Sequence, residues 1–243
     1  MTKPQPQAPS PKPVLILASS SPRRRELLQE AGYNFIVMPP EADVECGVCS
    51  ESGPAGLVAE LAYRKAAAIR EKLVTESPTL PLSHSPTLIL AADTVAECDG
   101  FILGKPRDES DANAMLNQLS SRDHRVLTGV CLWELPLPPG KGRGEGALRP
   151  RKNSSSPGRG GPIIRVAVTK LRMDPLSQAQ LEEYLASGQW EGKAGAFGYQ
   201  DRLGWVHVIE GSESNVVGLP MELLAEMLAE VAGGMGQGAG SAT

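Results

Sequence analysis

Aromatic residues make up only 4% of this 243-residue chain. No stretch approaches the roughly 18 consecutive apolar residues that a membrane-spanning helix requires, so no membrane association is expected. Four cysteines are too few for a disulfide scaffold, and free thiols in a cytoplasmic protein are the default. A basic excess is missing as well: 24 Lys and Arg stand against 28 Asp and Glu, for a net charge of -4. Nothing in that balance would neutralise a phosphate backbone, so nucleic acid is not an expected partner. Met1 to Pro13 is rich in proline without the apolar core of a secretory signal, which again suggests the cytoplasm. The three histidines, His84, His124 and His207, are scattered, and neither HExxH nor G-x-S-x-G occurs. Cys46 and Cys49 have C-x-x-C spacing, but Cys98 and Cys131 stand singly and far away, so a four-ligand zinc site is not expected.

Glycine and proline, by contrast, are plentiful at 26 and 21 residues, and they cluster. Residues 1–13, 134–162 and 232–243 hold much of the excess and lack apolar periodicity. They are predicted to be a disordered tail, a disordered insertion and a second tail around a domain of residues 14–231. Within that domain strand and helix patterns alternate. Val14 to Ala18 is a buried strand, and Ser21-Pro22 starts a helix that stops at Gly32. A helix is predicted over about Gly56 to Leu73, a strand over Thr87 to Ala92, a turn at Asp99-Gly100, and a helix from about Glu109 to Ser120. Strands at His124 to Trp133 and Ile163 to Arg172 flank the insertion. Ser177 and Gln180 form a capping box, Trp205 to Ile209 is a strand, and Met221 to Val231 a closing helix. The pattern is that of an α/β protein.

Three places break these local rules, which is common at functional sites. Arg23, Arg24 and Arg25 occupy the first turn of a helix, where the unpaired N–H groups favour acidic residues. After the run Ser19-Ser20-Ser21 and a buried strand, they suggest a bound anion such as phosphate, with a merely solvated cluster as the alternative. Lys65 falls near the centre of the apolar stripe of Leu57, Val58, Leu61, Ala62, Ile69 and Leu73. Either it meets an anion or its stem snorkels to solvent. Asp93 closes the apolar run Leu88 to Ala92 and faces the same crevice as the arginines. It could hold a metal or accept a proton from water, or it could simply cap a turn. With Lys105 nearby in Gly104-Lys105-Pro106, these residues together describe a polyphosphate site.

Five motifs in order resemble the Maf nucleotide pyrophosphatases: Ser19-Ser20-Ser21-Pro22-Arg23-Arg24, Ala92-Asp93-Thr94-Val95, Leu103-Gly104-Lys105-Pro106, Lys193 to Gln200, and Asn215 to Pro220. The resemblance implies a mixed, elongated α/β sheet with two lobes around a cleft, related to the inosine triphosphatases. It implies cleavage of a nucleoside triphosphate to the monophosphate and pyrophosphate in a cytoplasmic homodimer. By position, Asp93 matches the family's proton acceptor, while Ser19, Arg23, Arg24, Lys65 and Lys105 match its substrate contacts. Arg23, Thr94 and Gln200 fall where the family sets base specificity, and the segment around Gln200 is similar to the branch that acts on dTTP and UTP. A Mg²⁺ or Mn²⁺ would bridge phosphate oxygens to Asp93, with Glu45 as a second ligand. The chain departs from the family pattern at Ser121, at Gly192 and over Asp201-Arg202-Leu203-Gly204. The alternatives are a purine or 7-methyl-GTP pyrophosphatase and a non-catalytic nucleotide-binding regulator of cell division.

Overall fold

The computed structural model describes residues 13–41, 44, 52–76, 87–135, 161–201 and 203–236. Strand β1 (Val14–Leu17) pairs in parallel with β2 (Phe35–Val37) on one side and β3 (Thr87–Cys98) on the other. Beyond β3 the sheet turns antiparallel, through β5 (Asp123–Leu135), β6 (Pro162–Met173) and β7 (Val206–Glu210). Strand β4 (Phe101–Leu103) folds back on the far end of β3 across the predicted Asp99-Gly100 turn, whose φ angles of 53° and 85° are those a tight hairpin demands. The described strands make one mixed sheet in the order β2-β1-β3-β5-β6-β7, with β4 alongside β3. The short strand β2 was not foreseen from the sequence.

Alternation along the strands splits the core. Ile16, Ile89, Ala91, Cys131 and Trp133 face the long helix α2 (Gly53–Glu76), which meets them with Ala62, Ala66, Ile69 and Leu73. Leu15, Leu17, Leu88, Leu90 and Leu132 point the other way, onto Leu28 of α1 (Pro22–Glu30) and Leu224 and Met227 of α6 (Met221–Gly236). At the opposite end of the long strands, Ala96, Cys98, Leu171 and Met173 pack against α3 (Glu109–Leu119) and α4 (Gln178–Ala186). Strands β3, β5 and β6, of 12 or 13 residues each, therefore run through both lobes, a length of roughly 40 Å at the usual rise per residue. The predicted capping box of Ser177 and Gln180 is present at the start of α4.

Several boundaries differ from expectation. Strand β3 continues past Ala92 to Cys98, because β5 pairs with it as far as Glu97 and β4 with its last three residues. Strands β5 and β6 extend to Leu135 and from Pro162, into the edges of the expected insertion, and α6 runs to Gly236, past the expected start of the tail. The rest of the insertion, the outer parts of both tails, and Cys46 and Cys49 lie outside the described residues. Cys98 and Cys131 are free and buried. No helix among the described residues is long and apolar enough to cross a membrane.

One glycine sets how closely α2 approaches the sheet. A Cβ on Gly129 of β5 would lie 2.2 Å from the Val58 carbonyl oxygen and 2.8 Å from the Ala59 nitrogen. That clash is with backbone, so no side-chain rotation relieves it. Gly129 is also the register partner of Asp93, so the same close approach brings Lys65, two turns along from Val58, down to the sheet. Gly129→Ala is expected to lower unfolding stability by about 2–3 kcal/mol, read from the urea midpoint. Gly104→Ala, with nothing within 4 Å of the added carbon, is expected to stay within about 0.5 kcal/mol of wild type. Equal effects would show that α2 is free to shift.

Candidate active site

The site is built where the sheet's pairing stops. Strand β1 pairs with β3 only as far as Leu17–Leu90, and β4 begins only at Ala96–Leu103, so the intervening edge of β3 has no ladder partner on that side. Asp93 and Thr94 sit in that gap and are the only residues of β3 that are not fully buried. Asp93 is thus not at a strand end, as the sequence suggested, but at the middle of a strand left open by its neighbours. Alternation sends the two side chains to opposite faces, Asp93 toward α2 and Thr94 toward α1. The open edge lets both reach one crevice of about 460 Å³.

Ser19, Arg23, Arg24, Lys65, Asp93, Thr94 and Lys105, all singled out in the sequence, line this crevice. They do different things. Arg24 is 8% exposed and cross-braces three segments. It donates from Nε to the Gly218 carbonyl at 2.8 Å, from Nη1 to Ser19 Oγ at 3.1 Å, and from Nη2 to Thr94 Oγ1 at 3.1 Å. Ser19 Oγ also accepts from the Ser21 N–H at 3.2 Å, which leaves its own hydrogen to donate. Ser21 occupies the N-cap of α1 without a side-chain hydrogen bond to the helix. Thr94 Oγ1 further pairs with Thr128 Oγ1 at 2.9 Å.

Lys65 does not snorkel: it is 5% exposed and donates from Nζ to Asp93 Oδ1 at 2.5 Å. The ammonium in the apolar stripe thereby meets an anion, which is the carboxylate of Asp93. Lys105 is exposed at the mouth. Arg23 is half-buried, and burial pulls its guanidinium below the ordinary arginine value while Asp201 acts against that shift. The crevice carries four cationic side chains against Asp93 and Glu41.

Gln200 is exposed and lies in a second, adjoining cavity of about 750 Å³. Arg23, Phe197 and Val217 line both spaces and form the wall between them. Here the charge is reversed, with Glu26, Glu30, Glu213 and Glu222 against Arg23. Phe197 is held from behind by His124, edge-on at 5.5 Å between ring centroids. Sequence reasoning gave no role to Gly218, Phe197, Lys193, Tyr184 or Asp201. Gly218 had a signal, since it lies in a quoted motif, but its use depends on a carbonyl. Arg24 also had one: it precedes the buried Leu28 by four residues and so shares its face.

No cluster of three or more His, Cys, Asp or Glu that could hold a metal occurs among the described residues, and Glu45 lies outside them. Asp93 and Glu41 alone do not make a resident metal site. They fit Mg²⁺ as it is ordinarily held, by one or two carboxylates together with substrate phosphates.

Residues 14–231 match the family described as Maf-like protein. The chain is 47% identical over 221 residues to a dTTP/UTP pyrophosphatase of Rhodopirellula baltica, covering 90% of this chain and 83% of that protein. It is 39% identical over 217 residues to a dTTP/UTP pyrophosphatase of Symbiobacterium thermophilum, covering 89% and 93% respectively. Among solved structures it is similar to the Ham1 protein of Staphylococcus aureus at a TM-score of 0.44 and 10% identity, over 89% of this chain and 98% of that one. A likeness that slight carries no argument about function.

Arg24→Lys is expected to cost about 2–3 kcal/mol of unfolding stability, because an ammonium cannot satisfy three acceptors held in a guanidinium's plane. A variant as stable as wild type would show that the brace is dispensable. His124 gives a pH dependence. Burial holds its imidazole below the ordinary value of 6.5. The unfolded chain therefore takes up the proton first, and stability present above that value is lost as pH falls toward the lowered folded one. Between about pH 7.5 and about pH 5.5, wild type is expected to lose more stability than His124→Phe. Parallel losses in the two proteins would remove His124 as the cause.

Proposed function

The chain belongs to the Maf-like protein family, and from that premise we propose that it is a nucleoside triphosphate pyrophosphatase acting on dTTP and UTP. The observation that carries this reading is the change of charge across Arg23. A polyphosphate is attracted to the side with Arg23, Arg24, Lys65 and Lys105, and a neutral base is left to the side walled by glutamates and aromatic rings. A nucleotide is oriented by that contrast. The dTTP/UTP pyrophosphatases to which the chain is similar support the base preference, as does Gln200, whose amide both donates and accepts along a pyrimidine edge.

The chemistry follows from the open edge of β3. A water oxygen attacks the α-phosphorus, its proton passes to the Asp93 carboxylate, and the α–β bridging bond breaks with its electron pair leaving on pyrophosphate. Lys65 occupies Asp93 Oδ1, so the other oxygen faces the water, and a phosphate arriving in the crevice competes for the same ammonium. Ser19 offers its hydroxyl hydrogen to a phosphate oxygen, and Arg23 and Lys105 spread the developing charge. Arg24 acts mainly by fixing Ser19 and Thr94. Asp93 and Glu41 would hold a divalent ion together with the substrate phosphates, and such an ion would neutralise phosphate charge there.

The test is pyrophosphate release from dTTP, UTP, CTP, GTP, ITP and 7-methyl-GTP, with Mg²⁺, with Mn²⁺ and with EDTA. Turnover that needs metal and is greatest on dTTP and UTP is expected. Asp93→Asn is expected to keep nucleotide binding while turnover falls by about 10²–10⁴. Turnover led by a purine would move the base reading to the other branch. Folded protein without turnover on any of them would leave only a nucleotide-binding module.

A further inference from the structure

The stretch from Lys193 to Asp201 walls both cavities, and little in its backbone explains why it holds one shape. It consists of two single turns of 3₁₀ helix, Ala194–Ala196 and Tyr199–Asp201, with Gly195 and Ala196 in the left-handed region at φ 69° and 61°. One end is tied to the phosphate side, where the Gly195 N–H donates to the Gly104 carbonyl at 3.0 Å, next to Lys105. At the other end the tie is ionic. Lys193 Nζ donates to Asp201 Oδ2, and the two side chains are only 9% and 11% exposed. The Tyr184 hydroxyl, from α4, donates to the same oxygen at 3.0 Å. Gly198 makes room for this closure, since a Cβ there would lie 2.6 Å from both Asp201 Oδ2 and Lys193 Nζ.

We propose that Asp201 is a positioning residue for base selection, clamped by Lys193 and Tyr184 so that the adjacent Gln200 presents its amide in one orientation. The inference rests on the reading of Gln200 given above and extends it to residues that touch neither base nor phosphate. A buried ion pair of this kind contributes little net stability compared with an apolar pair of the same shape, but it is satisfied in one geometry only. Asp201 also acts electrostatically on two cations. Burial pulls both Lys193 and Arg23 below their ordinary values, the two repel each other, and Asp201 is the leading group that acts against both shifts. Its carboxylate thus offsets the repulsion between Lys193 and Arg23 beside the loop that carries Gln200.

The experiment compares kcat/KM for dTTP, CTP and ribose 5-triphosphate, which has no base, in wild type, Asp201→Asn, Tyr184→Phe, Gln200→Ala and the Asp201→Asn/Gln200→Ala pair. Asp201→Asn is expected to lower the dTTP-to-CTP ratio about tenfold. Activity on ribose 5-triphosphate is expected to stay close to wild type, because Arg23 and Lys193 remain cationic. In the Gln200→Ala background the second substitution is expected to change the ratio no further. Tyr184→Phe removes one hydrogen bond from Oδ2 and is expected to lower the ratio two- to threefold, roughly the effect of a single weak bond. That variant carries the test if Asp201→Asn does not fold. A ratio lowered by Gln200→Ala but unchanged in the folded clamp variants overturns the clamp alone. A ratio unchanged in Gln200→Ala overturns the base reading and the clamp with it. Equal losses on dTTP, CTP and ribose 5-triphosphate would make Asp201 a purely structural residue.

Discussion

The guanidinium of Arg24 is the point on which the crevice depends. It is a buried charge, and burying a charge is costly unless its donors are satisfied. Its partners come from the loop after β1, from the open stretch of β3, and from the turn at Gly218 after helix α5 (Glu213–Val217). Beyond Thr94 the polar contacts continue across the sheet. Thr128 donates to the Asn215 carbonyl, and the Asn215 amide donates to the Val126 carbonyl and to Thr169 Oγ1. One arginine thus registers the start of α1 against a sheet edge and, through it, against α5. Moving any of the three segments would strand a donor.

The parts of this site legible in the sequence were those that violate a local pattern. Lys65 is conspicuous because helix periodicity puts it where a leucine belongs, and Asp93 because it interrupts an apolar run. Those arguments do not tell which partner satisfies each charge. That they meet one another follows from Gly129, whose missing side chain lets α2 settle onto β5, and a glycine inside a strand does not announce what approaches it. The three arginines of α1 look equivalent as letters. They separate only when the helix is set on the sheet, with Arg24 inward in line with Leu28 and Arg23 on the wall between two cavities. The strand pattern of β3 stops at Ala92 for a related reason: an aspartate in mid-strand contradicts propensity, and the open edge that accommodates it is a property of the neighbours.

The side carrying Gln200 was illegible for a different reason. Gln200 lies in an irregular segment, where neither of the two periodicities applies, and only the resemblance pointed to it. The departures from the family pattern become physical statements once the backbone is seen. Ser121 and Gly192 both have positive φ, at 63° and 68°, a conformation that glycine adopts without strain and serine only at a cost. Asp201 is not a loose substitution, because its carboxylate is taken up by Lys193 and Tyr184. Eight residues separate the two ends of that pair, and no helical or strand spacing would have joined them.

An unpaired strand edge is ordinarily a liability, since its exposed N–H and C=O groups invite another strand. Here the unpaired stretch is short, bounded by β1 at one end and β4 at the other, and flanked by α1 and α2. Closing it with a continuous neighbouring strand would satisfy the backbone and bury Asp93 as deeply as the rest of β3. Leaving it open exposes a carboxylate to water while keeping that carboxylate on a strand paired along its other edge from Thr87 to Glu97. The same opening lets two adjacent residues that point to opposite faces act in one space. Asp93 then works with the ammonium delivered by α2, and Thr94 with the guanidinium delivered by α1. A carboxylate that must be both fixed and wet is most simply placed on a paired strand at an interrupted edge, and the two lobes are what interrupt it.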